Sequence, residues 1–170
     1  MITSSFANEK ITSSSNEAFS LFEKSRFGEK KKNGIEYSLA EALFLAQENK
    51  MQIFANNKLL SEERLLKKAQ KIDKRIHIKS PVFSDLRKKG YIVKTALKFG
   101  AEFRVYEKGI KPGQDHALWL LYPVKESELE TWYNFAAKNR VAHAAKKKLL
   151  IGIVDDENDV SYWECNWLKP

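Results

Sequence analysis

Cysteine is nearly absent: Cys165 is the only one among 170 residues, so a single chain can form neither an internal disulfide nor a cysteine-based zinc site. Histidine is scarce as well. The chain has three, His77, His116 and His143, and they do not form a cluster with ligand spacing, so no metal or other cofactor is expected. No apolar run approaches the ~20 residues that cross a bilayer, and no membrane role is expected. The opening Met1-Ile-Thr-Ser-Ser-Phe-Ala-Asn-Glu-Lys10 lacks the basic-then-apolar order of a secretory leader, which points to a cytoplasmic protein.

Positive charge and apolar residues are plentiful. Thirty Lys and Arg against 22 Asp and Glu leave a net charge of +8, a balance that favours a polyanionic partner without choosing among its kinds. The apolar share of 43%, with 12% aromatic, is enough for a packed core.

The pattern divides near Ser80-Pro81, because proline disfavours helix in the residue before it. Residues 1–80 read as a small α/β unit. After a polar opening, a run over residues 17–27 ends at Gly28, and Glu29-Lys-Lys-Lys-Asn-Gly34 reads as a loop. Ser38 and Glu41 have the spacing of a capping box at the head of a helix. Residues 51–54 form a short strand, Asn56-Asn57 a turn, and Ser61 caps a second helix whose first turn carries Glu62 and Glu63. Residues 81–170 read as a second domain. A helix over 82–89 stops at Gly90, and strands follow over 91–95, 103–106 and 116–122. A helix over 128–146 is broken near Asn139 and puts Leu129, Trp132, Phe135 and Ala136 on one face. Strands over 149–154 and 160–167 flank an acidic turn. The expected fold class is thus α/β in the α+β sense: a small N-terminal α/β domain, then a domain with a mixed central sheet flanked by helices.

Three residues at element ends share a chemical logic. Metal-free cleavage of RNA needs a group that takes the ribose 2′-OH proton, a group that protonates the leaving 5′-oxygen, and a cation for the charge that builds on phosphorus oxygens. Tyr106, His116 and Lys147 supply one of each. Histidine, with a reference pKa of about 6.5, is the natural acid, whereas tyrosine, near 10, needs a cation beside it to act as a base. Each acid–base contribution is worth roughly 10²–10⁴ in rate.

The segments that carry these residues resemble the catalytic domain of archaeal-type tRNA-splicing endonucleases. They are Gly90-Tyr-Ile-Val-Lys-Thr-Ala-Leu-Lys-Phe-Gly-Ala-Glu-Phe-Arg-Val-Tyr106, His116-Ala-Leu-Trp-Leu-Leu121 and Arg140-Val-Ala-His-Ala-Ala-Lys-Lys-Lys-Leu-Leu-Ile-Gly-Ile-Val-Asp155. The likeness covers most of residues 83–155, and Ser38-Leu-Ala-Glu-Ala-Leu-Phe44 is similar to the N-terminal domain of the same family. It implies that Tyr106, His116 and Lys147 are catalytic, with Lys147 chosen over its neighbours because it stands four positions after His143. It also implies cleavage of precursor tRNA at a bulge–helix–bulge, leaving 2′,3′-cyclic phosphate and 5′-hydroxyl ends. Arg140 matches an arginine that grips a bulge base, a task that suits a planar guanidinium. Where the family often has a second arginine, this chain has Tyr162 and Trp163, aromatic side chains that can stack instead.

The turn Asp155-Asp156-Glu157-Asn158-Asp159 matches a family loop that enters a basic cleft of another subunit, so Asp155, Asp156, Glu157 and Asp159 are interface candidates. Excising an intron takes two cuts, and a homotetramer, or a heterotetramer with a structural subunit, is expected. Two other readings compete. A metal-dependent nuclease would draw on Glu102, Asp115 or Asp155 with Lys147, and a non-catalytic RNA-binding module would need only basic surface and aromatics such as Trp119 and Trp163.

Overall fold

In a computed structural model, which describes residues 1–97 and 100–168, the chain divides into two compact units, Met1–Ser80 and Pro81–Pro170. Lys98 and Phe99, within the 90–106 segment quoted above, lie outside the described residues.

The first unit is a six-stranded sheet with helices. Its strands are β1 (Ile2–Ala7), β2 (Lys10–Ser13), β3 (Glu29–Lys31), β4 (Gly34–Tyr37), β5 (Met51–Ala55) and β6 (Lys58–Leu59), in the order β3-β4-β2-β1-β5-β6. The β1–β5 pair is parallel and the other pairs are antiparallel. Three helices, α1 (Asn16–Ser25), α2 (Leu39–Gln47) and α3 (Glu62–Ile72), complete it. The polar opening is therefore a hairpin, and the expected loop over 29–34 contains β3. The hairpin turn uses Asn8 and Glu9, both left-handed (φ 49° and 62°), where a glycine would ordinarily signal it. Its inward positions include serines. Buried Ser4 donates to the Gln52 carbonyl at 3.0 Å and Ser13 to the Thr3 carbonyl at 2.6 Å, so polar residues fill a core face with their donors satisfied.

The capping box is present at the head of α2, where the Glu41 amide donates to Ser38 Oγ and the Glu41 carboxylate accepts from the Ser38 amide. Buried Glu41 also accepts from the Gly28 amide at 2.8 Å, tying the chain ahead of β3 to α2. Gly28 sits at φ 76°, and a Cβ there would come within 2.3 Å of Ile35 Cγ2, so only glycine fits.

Helix α4 (Ile76–Lys88) contains Pro81, so the helix begins six residues before the expected start at 82. Proline takes away one amide donor and crowds the preceding turn, but thirteen residues of otherwise helical chain carry it. Gly90, at φ 91°, ends the helix as expected, with its amide on the Arg87 carbonyl and the Tyr91 amide on the Leu86 carbonyl.

The second unit is a mixed sheet of β7 (Ile92–Thr95), β8 (Phe103–Tyr106), β9 (Trp119–Lys125), β10 (Lys148–Val154) and β11 (Val160–Cys165), ordered β11-β10-β9-β8-β7. Helix α5 (Trp132–Ala144) connects β9 to its parallel neighbour β10. One face of the sheet buries Leu120, Tyr122 and Leu149 against Ala142 and Phe135 of α5. The other packs on α4, where Phe83 meets Phe103 at 5.8 Å and a Cβ on Gly152 would come within 3.0 Å of Val82. Helix α5 is unbroken at Asn139 and starts at Trp132, capped by Thr131. Leu129 and Trp132, expected on its inward face, are 97% and 85% exposed.

Among the described residues no helix is long and apolar enough to cross a membrane.

Candidate active site

The sheet order brings three element ends to one edge. Because β8 and β9 are antiparallel, the end of β8 meets the start of β9; because β9 and β10 are parallel, their starts lie side by side. Trp119, the first residue of β9, pairs with Val105 on one side and Lys148 on the other. Tyr106 follows Val105, Lys147 precedes Lys148, and His116 stands in the loop entering β9. Backbone bonds from the Leu118 amide to the Val105 carbonyl and from the Lys148 amide to the Leu118 carbonyl, each 2.9 Å, lock this edge.

Tyr106, His116 and Lys147 consequently line one cavity of about 410 Å³, together with Arg104, Gly113, Gln114, Asp115 and Ala117. Tyr106 is 4% exposed and so held rigidly, whereas His116 is exposed on its loop rather than inside the expected strand. The His116 amide donates to Asp115 Oδ1 at 2.6 Å, which fixes the backbone from which the imidazole projects.

Lys147 owes its position to the way α5 ends. Lys146 adopts the left-handed conformation at φ 54°, its amide bonds the His143 carbonyl, and the Lys147 amide bonds the Ala142 carbonyl. That is the two-bond stop usually made by glycine. It turns the chain from helix into β10 and leaves Lys147 half-buried, with Nζ 3.2 Å from the Ala145 carbonyl. A left-handed lysine costs about 1 kcal/mol relative to glycine. Lys146→Gly is therefore expected to raise stability by about that amount, read from the urea midpoint at constant m; an unchanged or lower midpoint would contradict the assignment of strain.

Arg104 escaped the sequence reading. It lies two residues before Tyr106 on a strand, so both side chains share one face. Its guanidinium sits 5.9 Å from the centre of the Tyr106 ring, and its buried Nε has no acceptor among the described residues. The signal was available in Phe-Arg-Val-Tyr by period-two alternation. The cavity thus combines a phenol, an imidazole and two cations with one carboxylate, Asp115. Of the carboxylates a metal-dependent reading would use, Asp115 lines this cavity and Glu102 and Asp155 do not.

The other candidates lie elsewhere. Arg140 is exposed on α5, where Nε donates to the Ala136 carbonyl at 3.3 Å. Neither Tyr162 nor Trp163 lines the cavity. They are successive residues of β11 and point to opposite faces. The Tyr162 hydroxyl donates to Asp85 at 2.7 Å and its ring carries the Lys89 ammonium, while Trp163 is 63% exposed near Phe135 and Ile151. Burial, reinforced by Asp85, pushes the Tyr162 phenol well above its ordinary range. In the acidic turn, Asp155 Oδ1 accepts from the Glu157 and Asp159 amides, each at 2.9 Å, and so shapes the loop itself. Asp156 pairs with Lys125 at 2.8 Å, and Glu157 and Asp159 are exposed.

Glu164 clasps the same sheet edge. Its carboxylate accepts from the Trp119 indole at 2.7 Å, Lys148 at 2.9 Å and Asn166 at 3.1 Å. The Lys148 bond, followed by those of Trp119 and Asn166, holds its pKa down to about 2 from an ordinary value near 4.5. A depressed carboxylate stabilises the folded state above its unfolded pKa and loses that contribution as pH falls through the folded one. Glu164→Gln is thus expected to be less stable than the parent above pH 4.5, with the gap closing toward pH 2. Urea melts across that window read it, and a gap independent of pH would contradict the clasp.

Comparison with known proteins agrees with this geometry. Residues 76–162 match the family described as tRNA intron endonuclease, catalytic C-terminal domain, and residues 2–66 match its N-terminal domain. A tRNA-splicing endonuclease of Nanoarchaeum equitans is 43% identical over 141 residues, covering 79% of this chain and 90% of that one. Those of Thermococcus onnurineus (38% over 149 residues, 88% and 85% covered) and Thermococcus kodakarensis (32% over 170 residues, 99% of each) are similar as well.

Proposed function

Since the chain belongs to the tRNA intron endonuclease family and is a tRNA-splicing endonuclease, we propose that it cuts precursor tRNA at intron–exon boundaries by metal-independent acid–base catalysis in the cavity of Tyr106, His116 and Lys147. The observation that carries this reading is that three elements deliver the three required side chains to one cavity. Residues 81–170 form the catalytic domain, and residues 1–80 the N-terminal domain that accompanies it.

Tyr106 takes the proton of the ribose 2′-OH as the 2′-oxygen attacks the adjacent phosphorus. The bond from phosphorus to the 5′-oxygen breaks, and His116 delivers a proton to that leaving oxygen. Lys147, with Arg104 beside it, meets the negative charge that accumulates on the non-bridging oxygens. The products are a 2′,3′-cyclic phosphate and a 5′-hydroxyl, with no change of oxidation state.

One chain carries one such centre and intron excision takes two cuts, so the working enzyme is an assembly, a homotetramer or a heterotetramer with a structural subunit. Leu129, Trp132 and Tyr133 support self-association: they are 97%, 85% and 77% exposed, and neighbouring exposed apolar side chains mark contact surfaces. In that assembly the acidic turn docks on a neighbour's basic surface, and Arg140, Tyr162 and Trp163 contribute to gripping bulge bases.

The mechanism makes the 2′-OH indispensable. A precursor with a single 2′-deoxynucleotide on the 5′ side of one cut should be bound normally, left intact at that site and cleaved at the other. Cleavage at the deoxy site would sink the mechanism.

A further inference from the structure

A second cavity adjoins the first. It has about 400 Å³ and is lined by Asn139, His143, Lys146, Asn166 and Trp167, with Lys147 on its wall as on the wall of the cleavage cavity. Trp167 stacks on the His143 imidazole, with ring centres 5.1 Å apart and planes at 23°. That separation belongs to two rings in direct contact, so nothing fits between them and the open surface is the outer face of the indole. Trp167 is 51% exposed in spite of its size. Lys148 is paired with Glu164, whereas Lys146 makes no ion pair among the described residues. Lys146 also occupies the left-handed stop of α5, where glycine would be less strained. A strained lysine, a braced aromatic face and two side-chain amides thus converge beside a centre built for phosphate chemistry.

We propose that this cavity is a nucleobase subsite: a base next to the scissile phosphate stacks on Trp167, braced by His143, while Lys146 meets that nucleotide's phosphate. The proposal rests on the cleavage reading above and adds to it a feature that positions the RNA strand. Amide edges such as those of Asn139 and Asn166 suit hydrogen bonding to an unstacked base, and an indole face suits stacking without strong sequence preference.

The test uses the full chain and an intron-containing precursor tRNA, intact or with an abasic nucleotide immediately 5′ or 3′ of one cut. Binding and single-turnover cleavage are measured for the parent, Trp167→Ala and Trp167→Phe. Trp167→Ala should weaken binding and cleavage by roughly ten- to a hundredfold, and Trp167→Phe should recover most of the loss. One of the abasic substitutions should weaken the parent by a similar factor and Trp167→Ala hardly further, because both remove the same contact. Parent-like behaviour of Trp167→Ala would overturn the subsite, as would losses that multiply. A changed sedimentation coefficient for Trp167→Ala would also overturn it, by assigning the face to a protein contact. If the parent binds these RNAs but leaves all of them uncut, the cleavage reading fails, and the binding cycle still decides the subsite by the same criteria.

Discussion

Replacing His116 with alanine should slow cleavage by roughly 10²–10⁴ under single-turnover conditions while leaving RNA affinity nearly unchanged. His116 is exposed on the loop before β9 and lines the cavity opposite the sheet edge, so its removal opens no hole in the core. A proton donor to the leaving oxygen acts in the transition state and contributes little to the ground state. Substrates with a better leaving group than a 5′-alkoxide need less of that proton. A 5′-thio substitution at the cut should therefore restore much of the lost rate in His116→Ala. Near-parental cleavage by His116→Ala of the natural substrate, or an equal defect on both substrates, would remove histidine from the acid's role.

The second large effect is expected from a region with no catalytic group. Changing Asp155, Asp156 and Asp159 to Asn and Glu157 to Gln removes four charges from a five-residue turn. The turn itself should persist, because an amide oxygen at position 155 can still accept from the backbone amides of residues 157 and 159. The Asp156–Lys125 pair is lost, but an exposed ion pair contributes little to folding. Four carboxylates so close together repel one another, and that clustering is explained if they meet a positive surface on another subunit. The variant should keep its fold by circular dichroism, sediment as a smaller species at moderate salt, and lose cleavage although Tyr106, His116 and Lys147 are untouched. Raising salt should mimic the substitution in the parent. An unchanged sedimentation coefficient would reduce the loop to a solvated turn.

How much of this was legible in the sequence depended on whether a local signal matched the final environment. Ser38 with Glu41 and Gly90 after α4 are self-contained signals, and both helix ends form as read. The β1–β2 hairpin left no such mark, because Asn8 and Glu9 supply the left-handed turn without glycine and Ser4 and Ser13 occupy buried positions usually taken by apolar residues. Leu129 and Trp132 carried a helical apolar pattern yet face solvent, since periodicity says that residues share a face but not what that face meets. The trio of Tyr106, His116 and Lys147 was read from residue type and resemblance. Its convergence comes from the order of β8, β9 and β10, which pattern along the chain does not encode. Arg104 and the Lys146 stop were hidden for a similar reason: each looks like an ordinary surface cation until the backbone turns it toward the cavity.

The account's central claim is that cleavage is carried by these side chains through the ribose 2′-OH. The most direct measurement is the chemistry of the ends left when an intron-containing precursor tRNA is incubated with the purified chain in excess EDTA. The account predicts cleavage at the rate seen without chelator, leaving 2′,3′-cyclic phosphate and 5′-hydroxyl ends. Cleavage that stops until Mg²⁺ is restored, or that leaves 3′-hydroxyl and 5′-phosphate ends, would contradict it.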